Sequence, residues 1–334
     1  MLAELLRRLR GESPKPGKIL PAVIDQVVAA TDSRLALLSG FRRSLTPGIR
    51  ISMNYAESLA QTLPDVLDLS LAAFTLDTRI GLFFSSPASL LLLLKRSQGL
   101  QEHFHSAGNG EDVYALLLMQ RSDTLRFGVA CQDGEIRSDV AQTVVSFDHH
   151  RLILPCRSHD DLLQLVPQRG LDVVTGVIAR RLAQLEKERG DLEGELTQIR
   201  MRLSVLANPG ALLINAMPAE HHQLPMDRNA LQRRQEQVLD RLQELRNVTD
   251  LKGELDLVCH MLEHPQDYFR AERSLLYLDR MGIRLDADCA QPPIDICQEE
   301  VLLGQEEPIY RVVLPVHASR TAMAELERCV SYDR

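Results

Sequence analysis

Tryptophan is absent from this chain of 334 residues, and aromatic residues of all kinds make up only 4% of it. Proteins that bind single-stranded nucleic acid without reading its sequence stack the bases on such rings. The net charge is −8 and the pI is about 5.7, so the composition also lacks the positive excess that dominates nucleic-acid affinity. We therefore expect no nucleic-acid partner.

Cysteine is sparse and follows no pattern. The six cysteines occur without a C-x-x-C pair, so the sequence encodes neither a disulfide framework nor a zinc knuckle, and we expect reduced thiols. Long apolar runs are lacking too. The five leucines at 90–94 fall far short of the roughly 20 residues of a membrane-spanning helix, and residues 1–18 lack the apolar core of a secretory signal. We expect a cytoplasmic protein without a membrane span.

Motifs for catalysis are missing as well. The chain contains no Gly-rich phosphate loop, no G-x-S-x-G turn and no Cys-His pair in a known family context. We therefore assign no catalytic residue and no cofactor, and we favour a function other than catalysis.

The residues that are present indicate an α+β, mostly helical protein. Hydrophobic residues make up 45% of the chain and charged residues 25%, an ordinary globular balance. Residues 1–105 carry apolar side chains at helical spacing, interrupted by Pro and Gly, which predicts a helical region.

Residues 106–170 change in character after the Gly- and Asn-containing segment 106–110. Short apolar runs within 113–154 predict a small antiparallel sheet, in which the Asp133-Gly134 step marks a tight hairpin turn. Ser158 then resembles the N-cap of a short helix that ends at Val166.

The clearest pattern is a heptad repeat over residues 171–262, which predicts two arms of a long antiparallel coiled-coil hairpin with its tip at 207–228. Leu171, Ile178, Leu185, Leu192, Ile199 and Leu206 recur every seven residues in the first arm. Pairing of each arm with a second copy of the chain is the alternative, and we favour the hairpin. In the second arm the register of the heptad repeat shifts by three residues near Val248. We expect the arm to end at Pro265.

Residues 263–334 form a C-terminal α+β segment in this interpretation. We expect a helical turn at 268–278, several strands between 283 and 316, and a final helix at 320–330. Because strand-bearing segments flank the hairpin on both sides, an economical fold lets this segment complete the sheet of 106–170.

Two groups of residues are weak candidates for metal ligands. Asp148, His149 and His150 follow an apolar run, and this arrangement is similar to the signature of the DHH phosphoesterases, where such residues bind manganese. Those enzymes need further acidic ligands upstream, which the sequence before Val140 does not provide, so we favour a polar strand end. His260 and His264 have the i, i+4 spacing of two zinc ligands, but Met261 occupies the position of the catalytic Glu.

The hairpin tip carries more apolar residues than an exposed loop requires. We interpret it either as a cap folded back on the arms or as a patch that docks a partner. The candidate interaction residues are Leu212, Leu213, Ile214, Met217, Leu224 and Met226.

Several segments resemble an uncharacterised proteobacterial family of soluble, helix-rich coiled-coil proteins. The resemblance lies in Ile24-Asp25-Gln26-Val27-Val28, in Thr31-Asp32-Ser33-Arg34-Leu35, in Gly40-Phe41-Arg42-Arg43 and in residues 145–152. It implies a bacterial origin, and it implies no activity.

These observations leave three functions open. The one we favour is a cytosolic interaction or scaffold protein whose coiled-coil hairpin contacts a protein partner or a second copy of the chain. A metal-dependent, phosphoesterase-like hydrolase that uses Asp148, His149 and His150 is the second. A regulator that senses a small ligand through the strands of 113–154 is the third.

Overall fold

A computed structural model describes residues 21–106, 110–132, 135–207, 227–286, 293–302 and 309–332. The chain divides into two compact units, each built from two separate stretches of sequence. The first unit comprises residues 1–50 and 175–264, and the second comprises 51–174 and 265–334. In the described residues no helix is both long enough and apolar enough to cross a membrane.

The first unit is helical. It contains α1 (Pro21–Ala30), a 3₁₀ helix (Ser33–Leu37) and the beginning of α2 (Phe41–Ala60). Gly48 allows α2 to approach a later helix closely, because a Cβ atom at this position would lie 2.8 Å from the Cβ atom of Leu262. Most of this unit comes from residues 175–264, which contribute three further helices.

Two of these helices form an antiparallel hairpin. They are α7 (His159–Ala207), whose first part belongs to the second unit, and α8 (Arg228–Thr249). Arg234 pairs with Glu195, and Arg241 pairs with Glu188. Between these two pairs the residue number rises by seven in α8 and falls by seven in α7, as expected for antiparallel helices. The apolar seam between them consists of Leu192, Leu196, Ile199, Leu203, Leu231, Val238 and Leu242. The two arms therefore pack within one chain, as the fold class predicts.

The ends of the arms differ from the prediction. The first arm does not begin at 171, because α7 is continuous from His159 and passes through Pro167. Ser158 does cap this helix, since its Oγ atom accepts the backbone N–H of Asp161 at 3.1 Å. A proline costs about 3 kcal/mol inside a helix, and here buried Leu162 and Val166 precede it and pack against the sheet, so tertiary packing offsets the cost.

The second arm is also interrupted. It consists of α8 and a separate helix, α9 (Leu251–Glu263), with Asp250 ending one helix and capping the other. The carboxylate of Asp250 accepts the N–H of Gly253 at 2.6 Å. A Cβ atom at Gly253 would lie 2.1 Å from the carbonyl oxygen of Asn247. The predicted slip near Val248 is therefore a break between two helices.

A polar cluster fastens the 3₁₀ helix to α7 and α9. The Nη2 atom of Arg34 lies 2.5 Å from Asp32, 3.1 Å from Glu254 and 3.3 Å from Glu186. The Glu254 side chain is only 4% exposed. Burial raises its pKa to about 7, although the charge of Arg34 acts in the opposite direction. Glu254 is thus a buried carboxyl group that titrates near neutral pH.

The second unit contains a sheet with the strand order β3-β2-β6-β5-β4. These strands are β2 (Asp112–Gln132), β3 (Glu135–Cys156), β4 (Phe269–Leu276), β5 (Ile294–Val301) and β6 (Ile309–Ser319), and neighbours pair antiparallel. A two-residue strand, β1 (Leu67–Asp68), pairs parallel with β6 and is an exception in a region predicted to be helical. Strands that precede the helical hairpin in the sequence and strands that follow it thus join one sheet.

One strand replaces a predicted helical turn. Residues 268–278 were expected to be helical, but β4 pairs with β5 along its full length, from Phe269 opposite Val301 to Leu276 opposite Ile294. Ladder hydrogen bonds formed with a distant segment outweigh local helical spacing here.

Both faces of the central sheet are covered. Leu117 and Val312 face the larger core, whereas their neighbours Leu116 and Val313 face the first turns of α7. The larger core also contains the helices that precede the sheet and the final helix. They are α3 (Ala73–Leu76), α4 (Thr78–Phe83), α5 (Pro87–Arg96), α6 (Gln98–His105) and α10 (Arg320–Tyr332).

The hairpin of β2 and β3 extends beyond the sheet. Pairing of β2 with β6 ends at Met119, whereas pairing with β3 continues to Gln132 opposite Glu135. This register confirms the predicted hairpin, although Asp133 and Gly134 themselves lie outside the described residues. The far part of the hairpin, residues 120–132 and 135–148, is called the ribbon below.

Candidate functional site

Asp148, His149 and His150 lie at a β-bulge rather than at a strand end. Gln120 pairs with Asp148 and Leu118 pairs with Arg151, so His149 and His150 together face Met119. His149 has a φ of 55°, and β3 continues to Cys156. A bulge adds one residue to a strand and changes the direction of its side chains. The expected polar strand exit is therefore a kink inside a long strand.

The bulge directs His150 into a half-buried environment. Its ring lies against Phe84, with the ring centres 4.9 Å apart. Burial lowers the pKa of His150, although the carbonyl of Phe83 and the charge of Asp148 act in the opposite direction. The Nε2 atom is buried and has no hydrogen-bond partner of normal geometry among the described residues. His150 is therefore mainly neutral at pH 7.

The metal-site candidates do not form a ligand cluster in the part of the chain that the structure describes. There, no group of three or more His, Cys, Asp and Glu residues could hold a metal ion. The rings of His260 and His264 stack with their centres 4.5 Å apart, and Nδ1 of His264 lies 2.9 Å from the carbonyl oxygen of His260. Neither the phosphoesterase hypothesis nor the zinc hypothesis gains support from these residues.

A groove of about 480 Å³ opens beside the bulge. We call it the β3 groove. Residues of α4, α5, β3 and the turn at 279–282 line it, and the structure brings them together from three distant parts of the sequence. Its apolar lining includes Leu82, Phe83, Phe84, Leu93, Val145, Phe147 and Met281, and its polar lining includes Ser85, Ser89, Ser146, Asp148, His150 and Arg280. The size is within the range typical of small-molecule sites.

The predicted interaction residues of the hairpin tip lie outside the described residues. They are Leu212, Leu213, Ile214, Met217, Leu224 and Met226. The end of α7 that leads into the tip is described, and two apolar side chains are exposed there: Met201 is 53% exposed and Leu206 is 45% exposed. The heptad places Leu206 on the seam, so its exposure departs from the pattern.

Sequence reasoning missed an apolar stripe on the ribbon. Leu125, Phe127 and Val129 alternate along β2 and are 68%, 72% and 64% exposed. Thr143 and Ala141 face the first two across the ladder, on the face of β3 that farther along carries buried Val145 and Phe147. The stripe thus lies on the same face of the hairpin as the buried residues, but beyond the point where other elements cover that face. The alternation is visible in the sequence. The sequence does not reveal that the pairing of β2 with β6 ends at Met119, which leaves the stripe uncovered.

Comparison with known proteins adds no relative: no family model, no curated protein and no solved structure matches this chain.

Proposed function

We propose that this chain is an interaction or scaffold protein that contacts a protein partner, or a second copy of itself, through the coiled-coil hairpin. The observation that carries the proposal is the exposure of Met201 and Leu206 at the end of α7 that leads into the tip. Contiguous exposed apolar surface marks sites of association, and these two side chains lie on the stretch of α7 that leads into a tip sequence rich in Leu, Ile and Met. Methionine suits such a site because its flexible thioether adapts to different partners.

The construction of the hairpin supports this role. The seam around Ile199 and Val238 is buried, and the ion pairs of Arg234 and Arg241 join the two helices along their exposed flanks. A helix rises about 1.5 Å per residue, so the hairpin offers a long surface with a fixed order of side chains. A preorganised surface loses less conformational entropy on binding than a flexible one.

The ribbon supports the same class of function. Its stripe of Leu125, Phe127 and Val129 consists of three alternating side chains on one strand that are 68%, 72% and 64% exposed. Beyond Met119, β2 has no strand partner on its outer edge in the described residues, so its backbone groups can pair with a strand from another chain. The β3 edge is already paired at Thr143 and Val145 with Arg284 and Gly282. We assign the ribbon a second, separate contact in the same interaction role.

The experiment compares the intact chain with two variants. The first replaces residues 207–228 by a short Gly/Ser turn, and the second combines Met201→Ser with Leu206→Ser. Leu37→Ser with Leu76→Ser is the matched control, because these leucines are 81% and 84% exposed elsewhere. Light scattering measures self-association, and affinity capture from native lysate followed by quantitative mass spectrometry measures partner binding.

We expect both hairpin variants to lose the dimer or the captured partner, and the control to retain it. The proposal is wrong if the intact chain is monomeric and captures nothing, or if the control loses as much binding as the hairpin variants. Circular dichroism of all variants checks that the helical content outside the replaced tip is unchanged.

A further inference from the structure

The β3 groove combines an aromatic wall with two charged side chains, Asp148 and Arg280. Phe83 packs edge-on against Phe147, with ring centres 4.9 Å apart, and the ring of Phe84 lies along that of His150. These contacts hold the rings in place without a ligand. Gly81 lies on the same side, and a Cβ atom there would meet nothing within 4 Å. The groove is therefore open beside α4, and its apolar wall can cover a flat or branched apolar group.

A tight turn brings a positive charge to the groove. The Oδ1 atom of Asp279 accepts the backbone N–H groups of Met281 and Ile283, both at 2.8 Å. Gly282, with a φ of 79°, presses against β3, since a Cβ atom there would lie 2.5 Å from the carbonyl oxygen of Val145. The turn is thus fixed to the strand, and Arg280, which lines the groove, sits within it.

The groove also carries a negative charge, Asp148, on the β3 side. Both Asp148 and Arg280 are exposed. Across the described ranges, neither side chain forms an ion pair or a hydrogen bond, in contrast to Arg273, which is paired with Asp295. Since His150 is mainly neutral, the groove presents one cation and one anion, and both lack a partner.

This charge arrangement limits the ligand. A phosphate dianion would be attracted by Arg280 but repelled by Asp148. An organic cation would be attracted by Asp148 but repelled by Arg280. A zwitterion places each of its charges opposite a complementary one. We propose that the β3 groove binds a small zwitterionic molecule of the amino-acid type with an aromatic or large aliphatic body, which contacts Phe84 and Leu93 while its carboxylate faces Arg280 and its ammonium group faces Asp148.

Fluorine NMR with three probes tests the proposal. The probes are para-fluorophenylalanine, the corresponding phenylpropanoate without the ammonium group, and the corresponding phenethylamine without the carboxylate. All three carry the same apolar body. Charge pairs near the surface contribute up to about 1 kcal/mol each, so we expect each single-charge probe to bind about 3- to 5-fold more weakly than the zwitterion.

Three variants locate the site. Gly81→Phe adds a bulky ring to the lining of the groove at a position where the Cβ atom has open space, and it should abolish binding. Gly190→Phe, the same change at another open helical glycine, should not affect it. Arg280→Gln should abolish the preference for para-fluorophenylalanine over the phenethylamine. The proposal is overturned if no probe binds, if the three probes bind equally well, or if Gly81→Phe retains the affinity of the intact chain. Self-association and partner capture are measured separately, so failure here leaves the interaction proposal unaffected.

Discussion

A buried ion pair in the second unit provides the sharpest test of how its sheet is held to α7. Arg169 on α7 and Glu299 on β5 form two parallel hydrogen bonds, of which Nη2 to Oε2 measures 2.6 Å. Arg169 is only 8% exposed and Glu299 only 3% exposed. The guanidinium carbon also lies 6.0 Å from the centre of the Phe269 ring. Each charge has lost its contact with water, and the opposite charge of its partner compensates for that loss.

Glu299→Gln removes one charge and leaves Arg169 buried without a counter-charge. Breaking a buried pair in this way costs about 3–5 kcal/mol. In a domain of 150–250 residues 1 kcal/mol moves Tm by about 2–4 °C, so we expect a decrease of about 6–20 °C. Arg169→Met should cost a similar amount. The double variant Arg169→Met/Glu299→Leu replaces both charges by apolar groups and should recover most of the loss, because the desolvation cost disappears with the pair.

Thermal and urea unfolding followed by circular dichroism measure these changes. Asp295→Asn is the control, because Asp295 forms a similar fork with Arg273 at an exposed position between β4 and β5. Water screens that pair, so its loss should cost only a small fraction of the Glu299→Gln effect. Equal losses for the two variants, or a double variant no more stable than the single ones, would refute the reasoning from burial.

Two further predictions concern the first unit. Because the folded-state pKa of Glu254 is raised above its ordinary value to about 7, its contribution to stability is complete below that ordinary value and is lost as pH rises through about 7. Glu254→Gln should therefore flatten the free energy of unfolding between pH 5 and 8 in urea titrations, and an unchanged slope would contradict the assignment. Gly253→Ala should lower Tm because of the clash with Asn247, whereas Gly176→Ala, in open space, should stabilise α7 by up to about 1 kcal/mol; opposite signs in differential scanning calorimetry are the expected result.

Local signals in the sequence located most elements, but they did not locate all the ends. The Asp-Gly step and the Ser158 cap act through their own backbone neighbours, and both predictions agree with the structure at the described residues. The short helix was expected to end at Val166, yet it continues through Pro167, because the buried residues before the proline keep α7 continuous. The identity of β4 depends on β5, about twenty residues later, and helical spacing alone could not reveal that partner.

The candidate site was predictable only in part. The sequence singled out His150 because of its neighbours, but the groove around it needs Gly81 and Arg280, which lie far away in the chain. Such a site is assembled by the fold, and the bulge in β3 places Asp148 and His150, but not His149, in the lining of the groove. The exposed stripe of the ribbon was hidden for a related reason, since alternation predicts a strand but not which face the rest of the chain covers.

The central claim, that the end of the hairpin contacts another protein, is tested most directly by site-specific photocrosslinking. A benzophenone side chain is introduced at Met201 in the full chain, and the same group at exposed Leu37 is the control. After irradiation in native lysate, we predict a discrete cross-linked species from position 201, identified by mass spectrometry as a second copy or as one partner, and none from position 37. No cross-linked species from position 201, or the same species from both positions, would contradict the account.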